Sequence, residues 1–169
     1  REALPQLIRN AVAHGIEACE ERQRSGKPEE GLIRCSVDVG TEGQLIIAVE
    51  DDGRGIDPHR LRECVIAKGL KTADEVATMS DEDVVALIFT PGFSSFDDLH
   101  DALSLDDGQV SANGASRLAQ SSVHAGRGEG LSVVKEVAER LGARLQISSR
   151  PERYTRFALL MRDNRWLFA

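Results

Sequence analysis

Three things are lacking in this chain: paired cysteines, long apolar runs and a net positive charge. Each shortage closes off a class of protein. Cys19, Cys35 and Cys64 are odd in number and form no C-x-x-C pair, so neither a disulfide framework nor a zinc cage is expected, and a reducing cytosol fits. The apolar runs are far too short to cross a bilayer, so no direct membrane insertion is expected. The chain opens Arg1-Glu2-Ala3, without Met, without a secretory signal and inside a helical pattern. A piece of a longer protein is therefore expected, with N-terminal and other domains absent. A formal net charge of −7 argues against nucleic acid as the main partner, because a phosphate backbone needs a basic surface. It leaves room for one nucleotide, for which a few local cations and backbone N–H groups suffice. What is present is ordinary for one globular domain with a sizeable core: 169 residues, 41% apolar and 29% charged.

Hydrophobic periodicity supplies the element order. Residues 4–24 read as one amphipathic helix, with Leu4, Leu7, Ile8, Ala11, Val12, Ile16 and Cys19 facing a core. Gln6, Asn10, His14 and Glu17 share a different stripe of that helix. Ile33, Cys35, Val37 and Val39 alternate with polar residues as a half-buried strand, and Gly40-Thr41-Glu42-Gly43 turns the chain into a more central strand over 45–49. Asp57-Pro58 caps a helix running to about Gly69, and Ser80-Asp81-Glu82-Asp83 has the form of a capping box for another. Residues 95–125 carry sparse, aperiodic apolar side chains and read as a long lid, with a short helix near 97–103. A helix follows Gly130, with Leu131, Val134, Val137, Ala138 and Leu141 buried and Gly142 as its cap. Strands over 145–148 and 155–161 come next, and residues 163–169 form a tail. No internal repeat is apparent. Antiparallel strands with helices on one face predict an α+β sandwich, a single domain over 1–162.

Three segments carry chemistry. Asp51-Asp52-Gly53-Arg54-Gly55-Ile56 follows a strand and precedes a helix start. An Asp fixed at a strand end accepts a hydrogen bond from an exocyclic amine, and glycines beyond it let backbone approach a flat ring, which is how a protein reads adenine. Gly126-Arg127-Gly128-Glu129-Gly130 leads into a helix, so it offers free N–H groups and the positive end of the helix dipole to an anion. It is neither a Rossmann fingerprint nor a P-loop, because no strand precedes it and no Lys-Ser/Thr pair follows. Asn10, in a helix interior, needs a partner, and its side-chain oxygen suits Mg²⁺, with Arg9 and His14 near phosphate oxygens.

Together the segments resemble the ATP-binding domain of histidine protein kinases of the GHKL superfamily, the chemotaxis kinases of the CheA type in particular. Leu7-Ile8-Arg9-Asn10-Ala11-Val12-Ala13-His14-Gly15-Ile16-Glu17 is similar to the asparagine box and Asp51-Asp52-Gly53-Arg54-Gly55-Ile56-Asp57 to the first glycine box. Ile88-Phe89-Thr90-Pro91-Gly92-Phe93-Ser94 is similar to the phenylalanine box and the segment from Gly126 to Lys135 to the second glycine box. The resemblance implies the Bergerat α/β sandwich and the cofactors ATP and Mg²⁺. It implies that Asp51 binds the adenine amine, in a pocket shaped by Gly53, Gly55 and Ile56, and that Asn10 holds the metal. Arg9, His14 and Arg60 are implied near the phosphates, Ser94, Gly126, Arg127, Gly128, Gly130 and Leu131 in the closing lid, and Gln6 and His14 at the catalytic positions. The implied reaction moves the γ-phosphoryl group to a histidine on a separate domain, with a response regulator downstream and dimerisation through other domains.

Several residues depart from the family pattern. Gln6 stands where a Glu or His is usual, and an amide cannot act as a base. Ala13 replaces an Asp, Glu129 places a negative charge beside the phosphate site, and Arg150-Pro151-Glu152-Arg153-Tyr154 replaces a glycine-rich turn. His59, His100 and His124 read as solvated, so no phosphoacceptor is evident. A second reading is a degenerate domain that docks other proteins and holds nucleotide weakly or not at all. A third is an ATPase of the gyrase or chaperone kind, which the lack of Glu at position 6 disfavours.

Overall fold

The computed structural model describes residues 3–90 and 130–162. Among them are four strands, β1 (Ile33–Val39), β2 (Leu45–Asp51), β3 (Arg144–Arg150) and β4 (Tyr154–Met161), in one antiparallel sheet of order β1-β2-β4-β3. The nearly continuous apolar run of β2 follows from its central place between β1 and β4. Val49, Phe157 and Ile147 meet in register across three strands and turn one sheet face to the core. Three helices cover that face: α1 (Ala3–Asn10), α5 (Asp81–Ala86) and α6 (Gly130–Arg140). Leu7, Leu61, Val65, Val84, Ile88 and Val134 fill the space between the layers. On the opposite face Glu50 lies between its register partners Arg34 and Arg156, 3.7 Å from each. The expected α+β two-layer sandwich is the architecture observed.

Local signals account for the other elements. Asp57 accepts from the His59 N–H at 2.8 Å and starts α3 (Pro58–Ala67), while Ser80 accepts from the Asp83 N–H at 3.1 Å and starts α5. Helix α4 (Ala73–Ala77) was not expected from the sequence, although Thr72 and Glu75 form a full capping box before it. Its five residues are too few to show a hydrophobic period. A short 3₁₀ turn, Leu87–Phe89, ends the helical run at Thr90. The expected lid at 95–125, its short helix and the tail at 163–169 lie outside the described residues.

Two expectations need correction. The single helix over 4–24 is two helices: α1 widens into a π-turn at Ala11–Gly15, the chain extends at Ile16 and Ala18, and α2 (Cys19–Arg24) follows. Leu7 and Ala11 are buried, but Leu4, Val12 and Cys19 are exposed, Val12 at 61%. The core stripe ends where the helix widens. In β1, Val37 and Val39 are 68% and 70% exposed rather than half-buried, because this edge strand runs past the cover of the helical layer.

Candidate functional site

Asp51 is the last residue of β2, at the end of a central strand paired on both edges, opposite Ile33 of β1 and Thr155 of β4. It is 4% exposed, and it lines a cavity with predominantly apolar walls between the π-turn and the sheet. Asn10, His14, Gly15, Ile56, Leu131 and Phe157 are among the other walls. Burial pushes the Asp51 carboxyl up to about 6, and nearby Asp52 and Glu17 push the same way. The N–H groups of Gly53 and Thr155 pull against that rise. A buried carboxylate with capacity left in an apolar slot suits a flat ligand bearing an amine donor.

The turn after Asp51 is packed too closely for side chains. The Gly53 N–H donates to Asp51 Oδ1 at 3.0 Å, and the Arg54 N–H donates to the Gly15 carbonyl at 2.9 Å. A β-carbon on Gly53 would stand 2.0 Å from that carbonyl oxygen. Gly55 has φ +68°, and a β-carbon there would meet the Arg150 carbonyl at 2.1 Å. The β3–β4 turn braces the loop from its other side: Glu152 N–H donates to the Arg54 carbonyl at 2.6 Å and Ile56 N–H to Ser149 Oγ at 2.8 Å. The turn that lacks the expected glycines adopts the left-handed conformation with Glu152 instead, at φ 60°.

On α1, Gln6 joins two residues of the asparagine box. Its Nε2 donates to Asn10 Oδ1 at 3.0 Å, and its Oε1 accepts from Arg9 Nη2 at 2.7 Å. Asn10 reaches the cavity, whereas Arg9 is exposed and does not line it. Asn10 Oδ1 keeps a second lone pair, and Mg²⁺ takes one or two protein oxygens with water and phosphate. Among the described residues no group of three or more His, Cys, Asp or Glu is arranged to hold a metal. As a single hard oxygen donor, Asn10 Oδ1 fits a metal that takes its other ligands from water and phosphate.

The remaining expected residues divide. His14, Ile56 and Leu131 line the cavity; Gly130 opens α6. Arg60 does not line it and lies 3.9 Å from Asp57 on the first turn of α3. Ser94, Gly126, Arg127, Gly128 and Glu129 lie outside the described residues. Glu17, placed on the stripe with Asn10 and His14, is turned away by the break after Gly15 and pairs with Arg22 and Lys27. Thr155 and Phe157 were missed as site residues. Thr155 stands opposite Asp51 in the β2–β4 register, which is visible only once the two strands are known to pair. Gly15 was read only as part of its motif, yet it is the residue against which Asp51 packs.

Over residues 1–165 the chain matches the family described as histidine kinase-, DNA gyrase B-, and HSP90-like ATPase, and it belongs to that family. Within the family it is a CheA-like domain. It is 43% identical over 150 residues to the gliding motility regulatory protein of Myxococcus xanthus, covering 89% of this chain and 16% of that protein. It is 36% identical over 160 residues to the chemotaxis protein CheA of Halobacterium salinarum, covering 95% of this chain and 20% of that protein. The chemotaxis protein CheA of Rhizobium meliloti is 37% identical over 150 residues, with 89% of this chain and 16% of that protein covered. The chain thus spans no more than about a fifth of the length of these relatives. They favour neither the docking-module reading nor the gyrase or chaperone reading. No helix among the described residues is long and apolar enough to cross a membrane.

Proposed function

We propose that this chain is the cytoplasmic ATP-binding catalytic domain, over 1–162, of a sensor histidine kinase of the CheA type. It transfers the γ-phosphoryl group of Mg²⁺–ATP to a histidine on a separate domain, from which a response regulator is served. The observation that carries the reading is the buried Asp51 carboxylate at the foot of an apolar cavity that Asn10 also lines. Asp51 accepts the adenine amine, while Gly15, Gly53 and Gly55 let backbone close around the ring. Asn10 holds Mg²⁺ against the phosphates, and Gln6 fixes the direction of the Asn10 amide. His14 faces the phosphate end, with Arg9 and Arg60 supplying longer-range positive charge; Ser94 and the 126–131 segment complete the phosphate site. Bound metal would neutralise phosphate charge, and the protein's part is positioning. Gln6, which cannot take a proton, orients and does not act as a base.

Calorimetric titration with ATP, with and without Mg²⁺, tests nucleotide binding: saturable binding strengthened by the metal is expected, and no heat at millimolar ATP would overturn the proposal. Transfer of labelled phosphate to the histidine-bearing domain of the full-length protein tests the kinase step.

A further inference from the structure

Behind the cavity, on the side of the turn away from Asp51, lies a cluster of buried charges that the nucleotide reading does not use. Arg22 is 0% exposed in a six-residue helix whose other charged side chains are at or near the surface. Its guanidinium grips Asp52 with both arms, Nη1 to Oδ1 at 3.1 Å and Nη2 to Oδ2 at 2.9 Å. It also donates to Glu17 Oε2 at 3.0 Å and to the carbonyls of Pro28, Glu30 and Asp52 at 2.7, 3.2 and 3.4 Å. Lys27 completes the group: its Nζ donates to Glu17 Oε1 at 2.6 Å, the Asp52 carbonyl at 3.0 Å and the Gly53 carbonyl at 2.7 Å. A fully buried arginine is rare and is retained only where its donors are all used.

The consequence lies in one peptide plane. In a trans peptide the carbonyl of Asp52 and the N–H of Gly53 point in opposite directions. Two cations hold that carbonyl on the far side, so the N–H is turned toward the cavity, where it meets Asp51 Oδ1 at 3.0 Å. We infer that Lys27 and Arg22 are positioning residues for Asp51: by holding the Asp52 carbonyl they aim the Gly53 N–H at the Asp51 carboxylate and fix the direction that carboxylate presents to the ligand. The functional consequence rests on the nucleotide reading; the geometry does not. Asp51 also feels Asp52 and Glu17, and it shares its cavity with His14 from the π-turn. Burial alone would raise the Asp52 carboxyl, but the Arg22 fork, the Leu32 N–H and Lys27 hold it below its ordinary value, so Asp52 stays charged and gripped.

The test uses Lys27→Met, because the Lys27 side chain is partly exposed and its loss is tolerated better than that of Arg22. Gly53 amide exchange and the Asp51 carboxyl titration are followed by NMR without nucleotide, so failure of the ATP reading does not affect the result. The inference expects Gly53 exchange to quicken at least tenfold while Val134 in the core is unchanged, and the Asp51 midpoint to rise. Lys27→Arg, which keeps the charge and a donor, should restore both. With ATP, Lys27→Met should weaken binding severalfold and move the pH midpoint of affinity upward. A Gly53 amide as protected as in the parent overturns the inference, whether or not the Asp51 midpoint moves, because a midpoint shift alone is charge acting at a distance.

Discussion

A β-carbon on Gly15 would stand 2.8 Å from the Asp51 carboxyl carbon. The break in the first helix and the depth of the carboxylate are therefore one feature: the helix widens and stops where Asp51 enters beside it. Gly15→Ala is expected to displace the carboxylate and lower nucleotide affinity at least tenfold, and to destabilise the fold by about 1–3 kcal/mol, the usual cost of overpacking. Calorimetry and urea unfolding measure the two effects separately.

Asp51 also predicts a pH dependence. Its carboxyl is raised from 3.8 to about 6 in the folded chain. Between those values the folded chain holds a proton that the unfolded chain has released. The penalty on stability is therefore full above about pH 6 and fades as the pH falls toward 3.8. Asp51→Asn removes it and should stabilise the protein at pH 7 by up to roughly 3 kcal/mol, from about 1.4 kcal/mol per pKa unit. An amine donor favours the charged carboxylate, so ligand affinity in the parent should fall as the pH drops through about 6. Thermal unfolding and binding titrations at pH 5 to 8 follow the opposite trends.

Much of this was legible in the sequence, and the illegible part has a common cause. The strand β2 announces itself because it is central in the sheet, paired on both edges and largely apolar, and Asp57 and Ser80 announce helix starts through local hydrogen bonds. The break after Gly15 is not local: it depends on Asp51, which arrives from the sheet. Nothing in the sequence singles out Arg22, because its partners Glu17 and Asp52 come together only in the fold. Thr155 becomes part of the site through strand register alone. Val37 and Val39 mislead because period-two alternation reports a strand and not whether a layer covers it.

Glu152 marks a place where the chain is not at its stability optimum. Its φ of 60° is a conformation that glycine adopts at no steric cost. Glu152→Gly should stabilise the domain by up to about 1 kcal/mol, because relief of a left-handed cost of roughly 1–2 kcal/mol is offset by roughly 0.5–1 kcal/mol of extra chain entropy for glycine. Nucleotide affinity should stay unchanged, because the Glu152 N–H bond to the Arg54 carbonyl is made by backbone. The midpoint of urea unfolding measures the gain.

Gln6 is expected to matter through Asn10. With Gln6→Ala, Asn10 Oδ1 loses the amide that fixes it at 3.0 Å. Mg²⁺–ATP should bind severalfold more weakly while metal-free ATP binds as before. Paired titrations with and without Mg²⁺ check this, and an equal loss in both would place Gln6 outside the metal's neighbourhood.

The central claim is that Asp51 reads the exocyclic amine of adenine. Competition between ATP and inosine triphosphate, which carries an oxygen in place of that amine, tests it most directly. The parent should prefer ATP by at least about tenfold, the scale of one buried charge-assisted hydrogen bond, and Asp51→Asn should erase the preference. Equal affinity for the two triphosphates in the parent would contradict the account.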